Sequence, residues 1–147
     1  MEEFCEICGN DRIPRTLHCP HCGAKYRNHG KSKAQGHRVV NIEMGRPPLV
    51  TALQKLEREI SRAREDKIAV VTIIHGYGAS GRGGVIRQEC RNTLDYMKDR
   101  KHIKEYIAGE HFTRKEGQTR ALLRRLPHMV DDANLNRNNR GVTLVEL

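Results

Sequence analysis

A two-layer α/β domain with a mixed sheet, preceded by a small cysteine module, is the fold class this sequence predicts. Three observations lead there. Four cysteines crowd the first 26 residues, a near-continuous β-branched run (KIAVVTII, 67–74) lies between two segments of helical periodicity, and the chain closes on GVTLVEL. Such a run marks a central strand buried on both faces. Strands alternating with amphipathic helices build a sheet that helices cover.

The elements follow in order. Residues 1–26 hold the cysteines, and 27–37 (RNHGKSKAQGH) are polar, basic and glycine-interrupted, as a linker is. From Arg38 to Met44 the chain alternates, with Val40, Ile42 and Met44 on one face and Val39, Asn41 and Glu43 on the other, which predicts a first strand. Gly45 and Pro47–Pro48 end it. Apolar residues at 49, 53, 56 and 60 predict a helix over 49–65. After the strand at 67–74 and a glycine-rich stretch (HGYGASGRGG, 75–84), Ile86, Cys90, Leu94 and Met97 line one face of a helix over 84–98. Residues 103–107 make a weaker strand. Thr113 and Glu116 have capping-box spacing ahead of a helix carrying Leu122, Leu123 and Leu126. A polar loop over 127–140 precedes the last strand, 141–147. The order is β-α-β-α-β-(α)-β, with helices expected on one face.

Lys and Arg number 27 against 18 Asp and Glu, a formal charge of +9. Four metal-bound thiolates and a divalent ion would reduce this to roughly +7. That surplus suits a polyanion, nucleic acid first among them, and serves solubility as well. No stretch reaches the roughly 18 apolar residues of a membrane span. The acidic, cysteine-bearing N-terminus is unlike a signal peptide, so a reducing cytoplasm is expected, where paired cysteines bind metal. Low aromatic content, 4% with no Trp, argues against a surface built mainly on stacked bases.

Cys5, Cys8, Cys19 and Cys22 form C-x2-C-x10-C-x2-C, and a glycine follows each pair. Each C-x2-C turn presents two thiolates to one ion, and the glycine permits the backbone that closes the turn. Four thiolates leave no open position, so a structural zinc is expected; iron in a rubredoxin-like site and a redox dithiol pair are the alternatives. His18 and His21 stand beside the ligands. A module this small needs the metal to fold. Arg12, Arg15, Lys25, Arg27, Lys31 and Lys33 lie within it or follow it, which suggests phosphate contact, with protein docking the alternative.

In IIHGYGASGRGGVIR a buried strand leads through glycines into a helix. Amides at that helix N-terminus, with Arg82 and Arg87, suit a phosphate. No Gly-Lys-Ser/Thr follows, so this is not a nucleotide-binding P-loop, and the spacing fits the dinucleotide fingerprint poorly.

The segments VVTIIHGYGASGRGGVIRQ and GVTLVEL closely resemble the Smr domain, the small MutS-related module. The resemblance covers about residues 38–147 in order of elements. It implies a β-α-β-α-β-β fold like the C-terminal domain of bacterial translation initiation factor 3, and an activity on DNA or RNA that in several members is endonucleolytic. The family's H-G-x-G motif maps onto His75, Gly76, Tyr77 and Gly78, with the following helix's arginine at Arg87. Its L-D-x-H-G motif, associated with cleavage, maps onto Val40-Asn41-Ile42-Glu43, with Asn41 in place of Asp and Glu43 in place of His, and one extra residue before Gly45. Residues 110–140 are longer than the connection usual there.

The resemblance implies a bacterial protein that binds nucleic acid, RNA before DNA, with the ribosome as a further candidate partner; a monomer away from membranes is expected. For cleavage, His75 is the candidate base or acid, Glu43 orients it or acts as base, and Arg82 and Arg87 neutralise the phosphate. Gly76, Gly78, Arg82, Arg87, Lys25, Arg27, Lys31 and Lys33 are the candidate nucleic-acid contacts. No carboxylate cluster suggests a two-metal site, so cleavage is expected to need no metal. The structural alternatives are a His75 that only fixes the loop and a solvated strand face for Asn41 and Glu43. Cys90 is expected as a buried thiol, and Arg114, Lys115, Arg120, Arg124 and Arg125 as a solvated helix face. Two functional alternatives stand beside the nuclease: a non-catalytic adaptor and a zinc-ribbon protein-interaction module.

Overall fold

The computed structural model describes residues 4–13, 15–26, 36–77 and 84–147. Four strands, β1 (His37–Asn41), β2 (Val70–Ile74), β3 (Glu105–Ala108) and β4 (Val142–Glu146), form one mixed sheet in the order β1-β2-β4-β3. β1 and β2 are parallel, and β4 is antiparallel to both β2 and β3. The C-terminal ends of β1, β2 and β3 therefore open on one edge, where β4 begins. The last strand of the chain lies inside the sheet, in keeping with a VTLVE segment buried at every residue.

Helices α1 (Leu49–Glu65) and α2 (Val85–Asp99) share one face of the sheet. Leu56, Ile60 and Ala63 of α1 meet Cys90, Leu94 and Met97 of α2 over Val40, Val71, Ile73 and Val145. The expectation of helices on one face holds for this pair. The opposite face is covered by α3 (Gly117–Arg125) and the 3-10 turn Pro127–Asp131, through Phe112, Leu122 and Met129 packed on Val70, Ile74, Ile107, Val142 and Leu144. Alternate residues of β2 feed the two cores, so the central strand carries no polar face.

Several boundaries differ from the sequence reading. β1 stops at Asn41, because the Asn41 side chain accepts the Glu43 N–H at 3.0 Å and Gly45 and Arg46 turn the chain at positive φ. Met44, expected on the apolar face, is exposed. Lys67 and Ile68 belong to the end of α1: Lys67, at φ 56, donates to Arg64 and Ile68 to Ala63, the Schellman pattern with lysine at the left-handed position. Lys101 and His102 end α2 in the same way. Thr113 does not cap α3. Its carbonyl accepts the Glu116 N–H in a turn, and Glu116 takes the N-cap position without a side-chain cap. Arg125 is not merely solvated: it grips Glu146 of β4 through two nitrogens, at 2.9 and 2.7 Å.

Candidate metal centre and nucleic-acid interface

The N-terminal segment forms two matching knuckles. In the first, Cys5 N–H donates to Asn10 and Gly9 N–H to Cys5; in the second, Cys19 N–H donates to Ala24 and Gly23 N–H to Cys19. Gly9 and Gly23 have φ of 76° and 72°, a left-handed backbone that glycine adopts without steric cost. The four sulfurs lie within 4.8 Å of one another, with Cys5–Cys22 at 3.8 Å and Cys8–Cys19 at 3.6 Å. Metal–sulfur bonds of about 2.3 Å in a tetrahedron require sulfur separations of about 3.8 Å. The cysteines therefore fit one four-coordinate ion.

The first knuckle sits against the sheet edge. Asn41 Nδ2 donates to the Gly9 carbonyl at 2.8 Å, and Asn139 Nδ2 to the Ile7 carbonyl at 2.6 Å. The second knuckle faces outward: Cys22 and Lys25 are exposed, and nothing approaches the Cβ position of Gly23 within 4 Å. Arg12 stacks over Tyr26 at 4.4 Å, which fixes one of the module's cations.

At the same edge His75 follows β2 and is 1% exposed. Its Nδ1 lies 2.6 Å from the Gly76 carbonyl and its Nε2 2.8 Å from the Thr143 hydroxyl. A carbonyl only accepts, so Nδ1 carries the proton and Thr143 donates to Nε2. Burial pushes the His75 pKa down to about 4, more than the Gly76 hydrogen bond restores, and the imidazole is neutral. The Gly141 carbonyl accepts both the His75 and Gly76 N–H groups, each at 3.0 Å. The start of the glycine loop is thus held by an imidazole, a threonine and a neighbouring strand.

Glu43 lies beside it. Its carboxylate fills the space a β-carbon on Gly76 would occupy, and Gly76 has φ 66°. Burial raises the Glu43 pKa, and the charge of Arg46 offsets only part of that.

Helix α2 brings two arginines to this end. Arg91 takes both carboxylate oxygens of Glu110, at 2.7 and 2.8 Å, and its Nε donates to Thr143 at 3.2 Å. Arg87 reaches Glu110 at 2.9 Å, and its Nε is buried without a hydrogen-bond partner among the described residues. Desolvation pushes Glu110 up, but Arg91 and Arg87 hold its pKa down to about 2. Two guanidinium groups on one carboxylate leave one positive charge unbalanced.

Of the residues picked from sequence, the fold brings Glu43, His75, Gly76 and Arg87 to one edge, and Lys25 lies on the far knuckle. Gly78, Arg82, Arg27, Lys31 and Lys33 lie outside the described residues. Arg91, Glu110, Asn139 and Thr143 were not singled out. Arg91 had a signal, one helical turn after Arg87 on the same face. Cys90 is buried as expected, its thiol pushed up to about 12 by desolvation.

The chain matches the Smr domain over residues 48–124, from α1 through β2 and α2 to α3. No curated protein and no solved structure matches it. The matched stretch is just over half the chain and contains the H-G-x-G turn at His75, on a mixed four-stranded sheet of the expected element order. By that match and that fold, the chain belongs to the Smr domain family.

Proposed function

We propose that the protein binds RNA at the C-terminal edge of its sheet and cleaves it there without a divalent cation, with Glu43 as general base. The observation that carries this reading is the Glu43 carboxylate seated against Gly76 at the entrance of the H-G-x-G loop. At its own level, membership of the Smr family supports nucleic-acid binding or nuclease-like function. Desolvation makes Glu43 a stronger base than an exposed carboxylate. The carboxylate takes the 2′-hydroxyl proton, the 2′-oxygen bonds to the adjacent phosphorus, and the 5′-oxygen of the next nucleotide leaves with a proton from water. The products are a 2′,3′-cyclic phosphate and a 5′-hydroxyl. The unbalanced charge of the Arg87–Arg91–Glu110 group, with Arg82 and the basic residues Lys25, Arg27, Lys31 and Lys33, offsets the phosphate charge. Among the described residues only the four cysteines form a group of three or more metal-ligand side chains, and the proposed cleavage therefore uses no carboxylate cluster of that size. Their ion is zinc in this reading, with a structural role in a closed thiolate site. His75 holds the loop backbone through Nδ1 and is itself held at Nε2 by the Thr143 hydroxyl.

The experiment is incubation of the zinc-loaded, magnesium-free protein with end-labelled structured RNA and with the same strand carrying 2′-deoxy residues. Cutting of the ribose strand alone, with cyclic phosphate ends and loss in Glu43→Gln, is the expected result. Cutting unchanged in Glu43→Gln removes Glu43 from the mechanism. A second reading, a non-cleaving RNA adaptor, is favoured by the engagement of both His75 nitrogens with the protein. Binding without cutting in that assay selects it.

A further inference from the structure

We propose that Asn41 and Asn139 are positioning residues, a two-point clamp that makes the first cysteine knuckle one wall of the Glu43–Gly76 site. What that wall does to nucleic acid rests on the function proposed above; the clamp itself rests on geometry alone.

Both side chains are used at both ends. The donor end of each goes to the knuckle: Asn41 Nδ2 to the Gly9 carbonyl, Asn139 Nδ2 to the Ile7 carbonyl. The acceptor end of each goes to the site. Asn41 Oδ1 accepts the Glu43 N–H at 3.0 Å, and Asn139 Oδ1 accepts the Gly141 N–H at 2.9 Å. Gly141 in turn holds His75 and Gly76 through its carbonyl. Each amide thus joins a knuckle carbonyl to a backbone N–H that sets the site. An ionised aspartate accepts only, so it would face the knuckle carbonyl with no proton to give. Position 41 therefore needs an amide in this chain, where the family motif carries Asp.

Packing gives the same answer independently. A β-carbon on Gly9 would meet Ile74 Cγ2 at 2.7 Å, Asn41 Nδ2 at 3.0 Å and Glu43 Oε1 at 3.4 Å. At Gly23, the equivalent position of the second knuckle, nothing lies within 4 Å. The two knuckles share backbone conformation and hydrogen bonds and differ in this contact. The knuckle's own turn closes on the Cys5 carbonyl, which leaves those of Ile7 and Gly9 to the clamp. Gly9 thus lies against the Glu43 carboxylate, and losing the clamp should open that side of it to water.

The test uses the zinc-loaded full chain as wild type, Asn41→Ala, Asn139→Ala and the double variant. Amide relaxation measures the tumbling of residues 4–26 and of the sheet, and carbon-detected NMR titrates the Glu43 carboxyl. The wild type should tumble as one body. In the double variant the cysteine module should tumble faster, and the Glu43 midpoint should fall toward that of an ordinary glutamate. A module that stays coupled in the double variant overturns the clamp, and decoupling without a shift at Glu43 overturns its positioning role. If Asn41→Ala fails to fold, Asn139→Ala, in a loop, carries the same two readouts. Binding of a labelled single-stranded RNA, measured alongside, should weaken in the variants. A wild type that binds no RNA removes the proposed function and leaves the clamp to be judged on the NMR.

Discussion

The Glu43 carboxylate occupies the space that any side chain at position 76 would need. Gly76 also has φ 66°, where an L-residue pays about 1–2 kcal/mol for the left-handed backbone. Gly76→Ala should therefore lose about 2 kcal/mol or more in urea unfolding and displace Glu43. Glu43→Ala in the same chain should return part of that loss. The double-mutant cycle would then show a coupling of about 0.5–3 kcal/mol, the range for residues in contact. Strict additivity of the two changes would mean that Glu43 does not lie on Gly76 in solution.

His75 should remain neutral, with its proton on Nδ1, far below the pH at which exposed histidines charge. Long-range proton–nitrogen NMR between pH 8 and 5 should show its ring unchanged. Its folded pKa of about 4 lies below the ordinary 6.5, so the unfolded chain binds the extra proton first. The stability it contributes is present above 6.5 and is lost as pH falls from 6.5 toward 4, by roughly 3 kcal/mol in all. Denaturant titrations at pH 7.5 and 5.5 should show a smaller difference in His75→Gln than in the wild type. An equal difference would mean that His75 is not the buried group that resists protonation.

Local pattern carried part of this architecture and long-range contact carried the rest. The spacing of Leu49, Leu53, Leu56 and Ile60 marked α1 to the residue, because a helix face is written within a few turns of sequence. The β-branched run marked β2, but Lys67 and Ile68 were read into it because a Schellman ending on lysine lacks the usual glycine signal. β1 was expected to run three residues past Asn41, where it ends, since alternation continues through Ile42 and Met44 while the Asn41 side chain bends the backbone. The cysteine spacing predicted the knuckles. Their docking was not legible, because Asn139 and Ile7 are 132 residues apart and nothing local pairs them. Glu110 gave no sign of itself: one acid among many becomes the anchor of two arginines only when β3 ends beside α2.

Breaking that anchor has two expected effects. Glu110→Gln leaves Arg87 and Arg91, both largely buried, without their counter-charge, and should cost about 2 kcal/mol at pH 7. The folded pKa of Glu110, about 2, lies below the usual carboxylate value of 4.5. Its contribution is therefore present above 4.5 and is lost as pH falls through that range, so wild type and Glu110→Gln should converge in acid. The variant should also bind RNA with a steeper salt dependence, because a carboxylate no longer competes with phosphate for the arginines. An unchanged salt slope would show that these arginines do not reach the ligand.

The four sulfurs predict one tetrahedral ion per chain. Mass spectrometry under native conditions should find a single zinc, and cobalt substituted for it should give the intense visible bands of a tetrahedral thiolate site. Cys8→Ser or Cys19→Ser should lose the ion and unfold the cysteine module, whose described residues form no apolar core of their own. The melting of α1 and α2 should change little, since their core is separate from the knuckles. Retention of stoichiometric metal in either variant would mean that another side chain completes the site.

Tyr77 offers an aromatic face at the loop entrance: it follows Gly76, packs near Gly141, and is 46% exposed. Under the proposed function, this exposed ring next to Gly76 would stack on an unpaired base near the scissile phosphate. Stacking of this kind is worth about 1–3 kcal/mol per base, roughly a fivefold to hundredfold change in affinity. Tyr77→Ala should therefore weaken single-stranded RNA by that factor, Tyr77→Phe should keep most of the affinity, and duplex RNA, whose bases are already stacked, should bind both variants like the wild type. Stacking neutralises no phosphate, so the salt slope should be the same in Tyr77→Ala, whereas Lys25→Ala should reduce it if the outer knuckle touches the backbone. Equal losses on single strands and duplex would place Tyr77 in the shape of the loop and not on a base.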